Sequence, residues 1–132
     1  EAQKKGCGDD CKSDCCKKGE ADVSDAATGG NSFTVKNVVV PGKVTVIDYW
    51  AEWCVPCKAI TAMLIELASK YPNLAIRKVE VPNFDAPVVK EHIPNVPKIP
   101  VVWVYDANGK HVITRVGPNA PALRTEILKL LK

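Results

Sequence analysis

Two cysteines two residues apart, Cys54 and Cys57, close the apolar run Val44 to Trp50 in the stretch Trp50-Ala51-Glu52-Trp53-Cys54-Val55-Pro56-Cys57-Lys58. Beyond them Ile60, Met63, Leu64, Leu67, Ala68 and Tyr71 recur at three- and four-residue steps, the spacing of one helix face. A strand-to-helix junction puts the first sulfur at a helix N-terminus, where unpaired N–H groups and the helix dipole favour a thiolate. The second sulfur lies one turn on, near enough to close a small disulfide ring. Cys54 is therefore the candidate nucleophile. A thiol with a pKa of about 8.5 is mostly protonated at neutral pH, and the helix end lowers that value. Attack on a disulfide forms a mixed disulfide, which Cys57 resolves. The same spacing also serves zinc, but a tetrahedral site needs two further ligands, and His92 and His111 lie in no ligand-like spacing.

Asp48 is the second candidate. It interrupts Val44-Thr45-Val46-Ile47-Asp48-Tyr49-Trp50, whose apolar character is that of a central strand covered on both faces. A carboxylate there is poorly solvated, has a raised pKa and suits proton exchange with Cys57, directly or through a water. The plainer alternative is an Asp at a strand end facing solvent. Trp50 and Trp53 flank the motif as rim and support residues, or as core.

These groups need a scaffold. The pattern predicts strands at about 33–40, 43–50, 74–81, 101–105 and 110–116. It predicts helices at about 54–71 and 85–91, and a last one from near Asn119 with Leu123, Ile127, Leu130 and Leu131 on one face. Pro41-Gly42 and Asp106-Ala107-Asn108-Gly109 are turns. The fold class is α/β. Composition changes near residue 30. Residues 1–30 carry a net charge of −2, the remainder +5, and the first part has one large aliphatic residue, Val23. Ala26-Ala27-Thr28-Gly29-Gly30-Asn31-Ser32 reads as a flexible linker, which divides the chain into a Cys-rich extension, 1–30, and a folded domain, 31–132.

The folded part resembles the thioredoxin family over about residues 33–132. Ile47 to Lys58 is similar to the family's active-site strand and loop, Ile99-Pro100 to its cis-proline loop, and Asn108-Gly109 and Val116-Gly117 to its terminal hairpin and the glycine facing the active site. The resemblance implies a thioredoxin fold, a central mixed sheet flanked by helices, and a thiol–disulfide oxidoreductase. It implies a cis bond at Pro100, substrate contacts through Trp53, Val55, Pro56, Ile99, Pro100 and Gly117, and a buried Lys78 near Asp48. Arg77-Lys78 reads equally as a solvated charge pair. Thioredoxins proper have Gly-Pro between the cysteines. Val55-Pro56 and the short opening Phe33 to Val44 are more similar to membrane-tethered and periplasmic relatives, although the central insertion typical of those is absent. Many thioredoxins have a mid-helix proline where this chain has Ala62, so a straighter helix is expected.

Four cysteines, Cys7, Cys11, Cys15 and Cys16, fall within the first 16 residues. They are compatible with two disulfides, with a four-thiolate site for Zn²⁺ or Cu⁺, or with a redox tail that exchanges with Cys54 and Cys57. Six cysteines in 132 residues fit an oxidising compartment, so an exported, for instance periplasmic, protein is expected, with the cytoplasm as the alternative. A net charge of +3 without a basic run interleaved with aromatics argues against a nucleic-acid partner. The expectation is a monomeric reductant that needs no cofactor, since Pro56 and the lack of a histidine between the cysteines favour reduction over oxidation. Its partners would be protein disulfides or dithiols and an upstream thiol reductant. The rival class is a metal-handling protein that delivers Cu or Zn through its cysteines. A single methionine, Met63, and the lack of Met- or His-rich tracts weigh against it.

Overall fold

The computed structural model describes residues 21–95 and 99–131. Five strands form one sheet in the order β1-β3-β2-β4-β5. They are β1 (Asp22–Ala27), β2 (Val44–Trp50), β3 (Leu74–Glu80), β4 (Val101–Tyr105) and β5 (His111–Val116). β1 and β2 both run parallel to β3, while β4 is antiparallel to β2 and to β5. The helices are α1 (Val35–Val38), α2 (Val55–Lys70), α3 (Pro87–His92) and α4 (Ala120–Leu131).

β2 is central, and six of its seven residues, Val44 to Tyr49, are buried, so it must offer apolar groups to both faces. Alternation does this. Val44 and Val46 pack with Ile60, Leu64 and Leu67 of α2 and Leu123 and Ile127 of α4. Ile47 and Tyr49 pack with Val88 and Val89 of α3, and Val35 and Val38 of α1 lie against that same cluster. Burying each such Leu or Ile contributes about 2 kcal/mol. Asp48 shares the parity of Val44 and Val46, which directs it under α2.

The opening of the domain differs from the reading of the sequence in two places. Residues 22–27 are an edge strand paired with β3 from Asp22↔Ala75 to Ala27↔Val79, so the sheet begins inside the segment read as an extension. Asp22 anchors this strand through Arg77 Nη1 at 2.9 Å and Lys43 Nζ at 2.8 Å. Burial alone would raise the Asp22 carboxyl, but the hydrogen bonds and charges of Arg77 and Lys43 outweigh it and hold the carboxyl below its ordinary value. The expected flexible linker is instead a defined turn. Gly29 and Gly30 take φ 65° and 82°, Gly29 N–H donates to Glu80 Oε1 at 2.8 Å, and the Gly30 carbonyl accepts from Val88 N–H at 3.1 Å. The second correction concerns 33–40, expected as a strand. It holds one helical turn, α1, because Val35, Val38 and Val39 have i, i+3, i+4 spacing and reach the core together only as a helix. The β-branched composition pointed the other way, and packing overrode it.

Candidate active site

β2 ends at Trp50, and a turn closed by Cys54 N–H donating to Ala51 C=O at 3.1 Å delivers the chain to α2. Cys54 is the N-cap of that 16-residue helix, in extended conformation, and its Sγ accepts from Cys57 N–H at 3.2 Å. Pro56 stands in the first turn, where its missing N–H costs nothing because N–H groups there have no partner within the helix. Cys54 and Cys57 are joined as a disulfide with Cα atoms 5.3 Å apart. Cys54 is 4% exposed and Cys57 fully buried, so what little of the pair reaches the surface belongs to Cys54.

The loop ahead of β4 lies across this pair. The Ile99–Pro100 peptide is cis, and the Ile99 carbonyl oxygen is 3.9 Å from Cys54 Sγ. Gly117 N–H donates to the Pro100 carbonyl at 2.9 Å and takes φ 108°, a conformation that favours glycine. On the outer side Trp53 is half exposed, its Nε1 donating to the Pro82 carbonyl at 2.8 Å and its ring tilted against Phe84 at 5.8 Å. Val55 is largely exposed beside it. Trp53, Val55 and Phe84 are thus exposed apolar side chains, two of them flanking Cys54 in sequence and the third packed on Trp53.

Asp48 lies beneath α2 and is fully buried. Thr61 Oγ1 donates to Asp48 Oδ2 at 2.5 Å, whereas Oδ1 has no partner among the described residues. Desolvation raises the Asp48 carboxyl from 3.8 to about 6, against the Thr61 hydrogen bond and the charge of Lys78. Lys78 is Asp48's register neighbour on β3, half buried, with its ammonium 4.7 Å over the ring of Trp50. It acts on Asp48 through space, as a nearby charge. Lys78, Thr61, Trp50, Glu52, Lys58 and Ile65 line a cavity of about 340 Å³ on this side of the sheet.

The fold thus gathers Cys54, Cys57, Trp53, Val55, Pro56, Ile99, Pro100 and Gly117 at one end of the sheet, with Asp48 and Lys78 behind α2. Cys7, Cys11, Cys15 and Cys16 lie outside the described residues. Among the described residues no three His, Cys, Asp or Glu side chains are grouped to hold a metal ion. Two site residues escaped the sequence reading. Thr61 carried a usable signal, since it follows Cys57 by one helical turn, on the same face. Phe84 carried none, because only the fold brings it to Trp53.

A family model described as Thioredoxin matches residues 27–129. The chain is similar to thioredoxin 1 of Plasmodium falciparum, 32% identical over 93 residues that span 70% of this chain and 86% of that protein. It is similar to thioredoxin-2 of Saccharomyces cerevisiae, 31% identical over 85 residues, 64% of this chain and 78% of that protein. Among solved structures, the oxidized form of mitochondrial thioredoxin 3 from Saccharomyces cerevisiae matches with a TM-score of 0.56 at 28% identity, over 72% of this chain and 85% of that one.

Proposed function

The chain belongs to the thioredoxin family and is a thiol–disulfide oxidoreductase, and from that premise we propose that it reduces protein disulfides with Cys54 as the attacking thiolate. The observation that carries this reading is the Cys54 sulfur at the N-terminus of a 16-residue helix, the more exposed of the two and already bonded to the buried Cys57. In the dithiol form the Cys54 thiolate attacks one sulfur of a substrate disulfide. A Cys54–substrate bond forms, the substrate S–S bond breaks, and one substrate sulfur leaves as a thiolate. Cys57 then loses its proton to Asp48 and attacks Cys54. The second substrate sulfur leaves, and two electrons have passed from the dithiol to the substrate. Asp48 suits the proton step because a group titrating at about 6 is mostly ionised at neutral pH yet still basic enough to take a proton. Lys78 stabilises the ionised carboxylate.

An extended substrate segment would lie along the loop at Ile99 and Pro100, pairing with the Ile99 backbone and covering the rim of Trp53, Val55 and Pro56, with Gly117 leaving room opposite. The open space around Gly117 supports this, since a side-chain carbon added there meets nothing within 4 Å. An upstream thiol reductant would return the Cys54–Cys57 disulfide to the dithiol, and the protein would act as a monomer. The density of cysteine supports an exported protein in an oxidising compartment, such as the periplasm.

Three measurements test the assignment. Cys54→Ser abolishes turnover of a protein disulfide, and Cys57→Ser accumulates a mixed disulfide detectable by mass. With limiting iodoacetamide, the reduced protein is alkylated at Cys54 first. Preferential alkylation of Cys57 overturns the roles.

A further inference from the structure

Asp48 is fully buried, and its one side-chain hydrogen bond among the described residues comes from Thr61. Thr61 belongs to α2, the helix that carries both cysteines, and lies one turn beyond Cys57. The two carboxylate oxygens therefore differ. Oδ2 is held by the Thr61 hydroxyl at 2.5 Å, while Oδ1 is buried without a partner among the described residues. An unpartnered buried carboxylate oxygen is costly unless it has a use. We propose that Thr61 is a positioning residue for the exchange reaction, its hydroxyl fixing the Asp48 carboxylate by one oxygen and leaving the other open to accept the Cys57 proton. The proposal rests on the reading that Asp48 serves Cys57.

The hydroxyl does two things. It ties the carboxyl plane of Asp48, on β2, to the same helix that orients Cys57. It also stabilises the charged form, because a donor to a carboxylate favours ionisation. Other groups around the carboxyl act more weakly. Lys78 from β3 attracts through space. Glu52, from the turn before α2, and Lys58 on α2 line the cavity that Thr61 shares. The neighbour from β4 is the apolar Val102.

Thr61→Val keeps the side-chain shape and removes the donor, while Thr61→Ser keeps the donor. The carboxyl carbon of Asp48 is followed by NMR against pH in the oxidised protein. In parallel, the resolving step is timed against pH by single turnover of the reduced protein on a disulfide substrate. In Thr61→Val the Asp48 midpoint rises by about one pH unit, the size expected from one hydrogen bond to a charged group. The resolving rate then falls roughly tenfold below both midpoints and rejoins that of the parent in alkali. Thr61→Ser returns both to the parent values. A role confined to helix packing would change the melting temperature and leave the midpoint in place. An unmoved Asp48 midpoint in Thr61→Val, or a Thr61→Ser protein that behaves like Thr61→Val, overturns the proposal. If the midpoint moves but the resolving rate ignores it, and Asp48→Asn resolves at the parent rate, Thr61's hold on Asp48 stands. In that case the positioning of a base for Cys57 is refuted together with the role of Asp48.

Discussion

Replacing Asp48 by Asn should change the pH dependence of stability more than stability itself. The carboxyl is fully buried and titrates at about 6 rather than 3.8, chiefly because burial strips it of water. A folded-state pKa above the unfolded one means that the native protein binds the proton more tightly. Asp48 therefore costs nothing in acid, and its penalty develops as pH rises from about 4 through about 6. Above both values the penalty is about 3 kcal/mol, at 1.36 kcal/mol for each pH unit between the two midpoints. Between pH 4 and pH 7.5 most of it appears, about 2 kcal/mol.

Asn stays neutral throughout this range. It still accepts from Thr61, but its NH₂ group takes the place of Oδ1, where no acceptor waits. A buried donor without a partner costs about 1–3 kcal/mol, which cancels much of the gain at neutral pH. That cost does not vary with pH. The gap between Asp48→Asn and parent, measured by urea unfolding of the oxidised proteins, should therefore widen in favour of the variant by about 2 kcal/mol from pH 4 to pH 7.5. In melting temperature this is about 10 °C. Titration of the other carboxylates affects both proteins and drops out of the difference. A gap that stays constant with pH would mean that the Asp48 charge is not buried, and its proposed role would fall with it.

Two further outcomes follow from the opening of the domain. Gly30→Ala should lose at least about 2 kcal/mol in urea unfolding, because the residue takes φ 82° and an added carbon would sit 2.7 Å from Ala86 Cβ; an unchanged midpoint would mean that the turn can move away from α3. A chain begun at Asn31 should unfold at much lower urea than one begun at Ala21, since it lacks β1 and the Asp22 links to Arg77 and Lys43; equal midpoints would show that the sheet does not need its edge strand.

The sequence made the centre of the molecule legible and its edge obscure, for a physical reason. β2, α2, β4 and α4 are buried against several neighbours, so their apolar spacing has to match their conformation. β1 is held by backbone pairing on one side and by the charges of Asp22, Arg77 and Lys43, which demand few large apolar residues. Asp-Val-Ser-Asp-Ala-Ala therefore reads as tail. At 33–40 the local preference was for strand, and the core needed Val35, Val38 and Val39 on one side of a helical turn.

The same logic explains why Asp48 could be found and its partner could not. A charge inside an apolar strand is conspicuous, since burial makes it expensive wherever it points. A threonine on an amphipathic helix is unremarkable until the strand beneath it is known. β2 alternates, so Tyr49 enters the layer of α3 while Asp48 enters that of α2. A register slip of one residue would exchange them, placing the carboxylate among aromatic rings and a tyrosine under Thr61. The pairing of Asp48 with Lys78 on one side and Val102 on the other fixes that register. With Asp48 in its proposed role, the chemistry of the cysteine pair depends on a sheet alignment that neither cysteine takes part in, and the hydroxyl of Thr61 is where that alignment meets the helix that carries them.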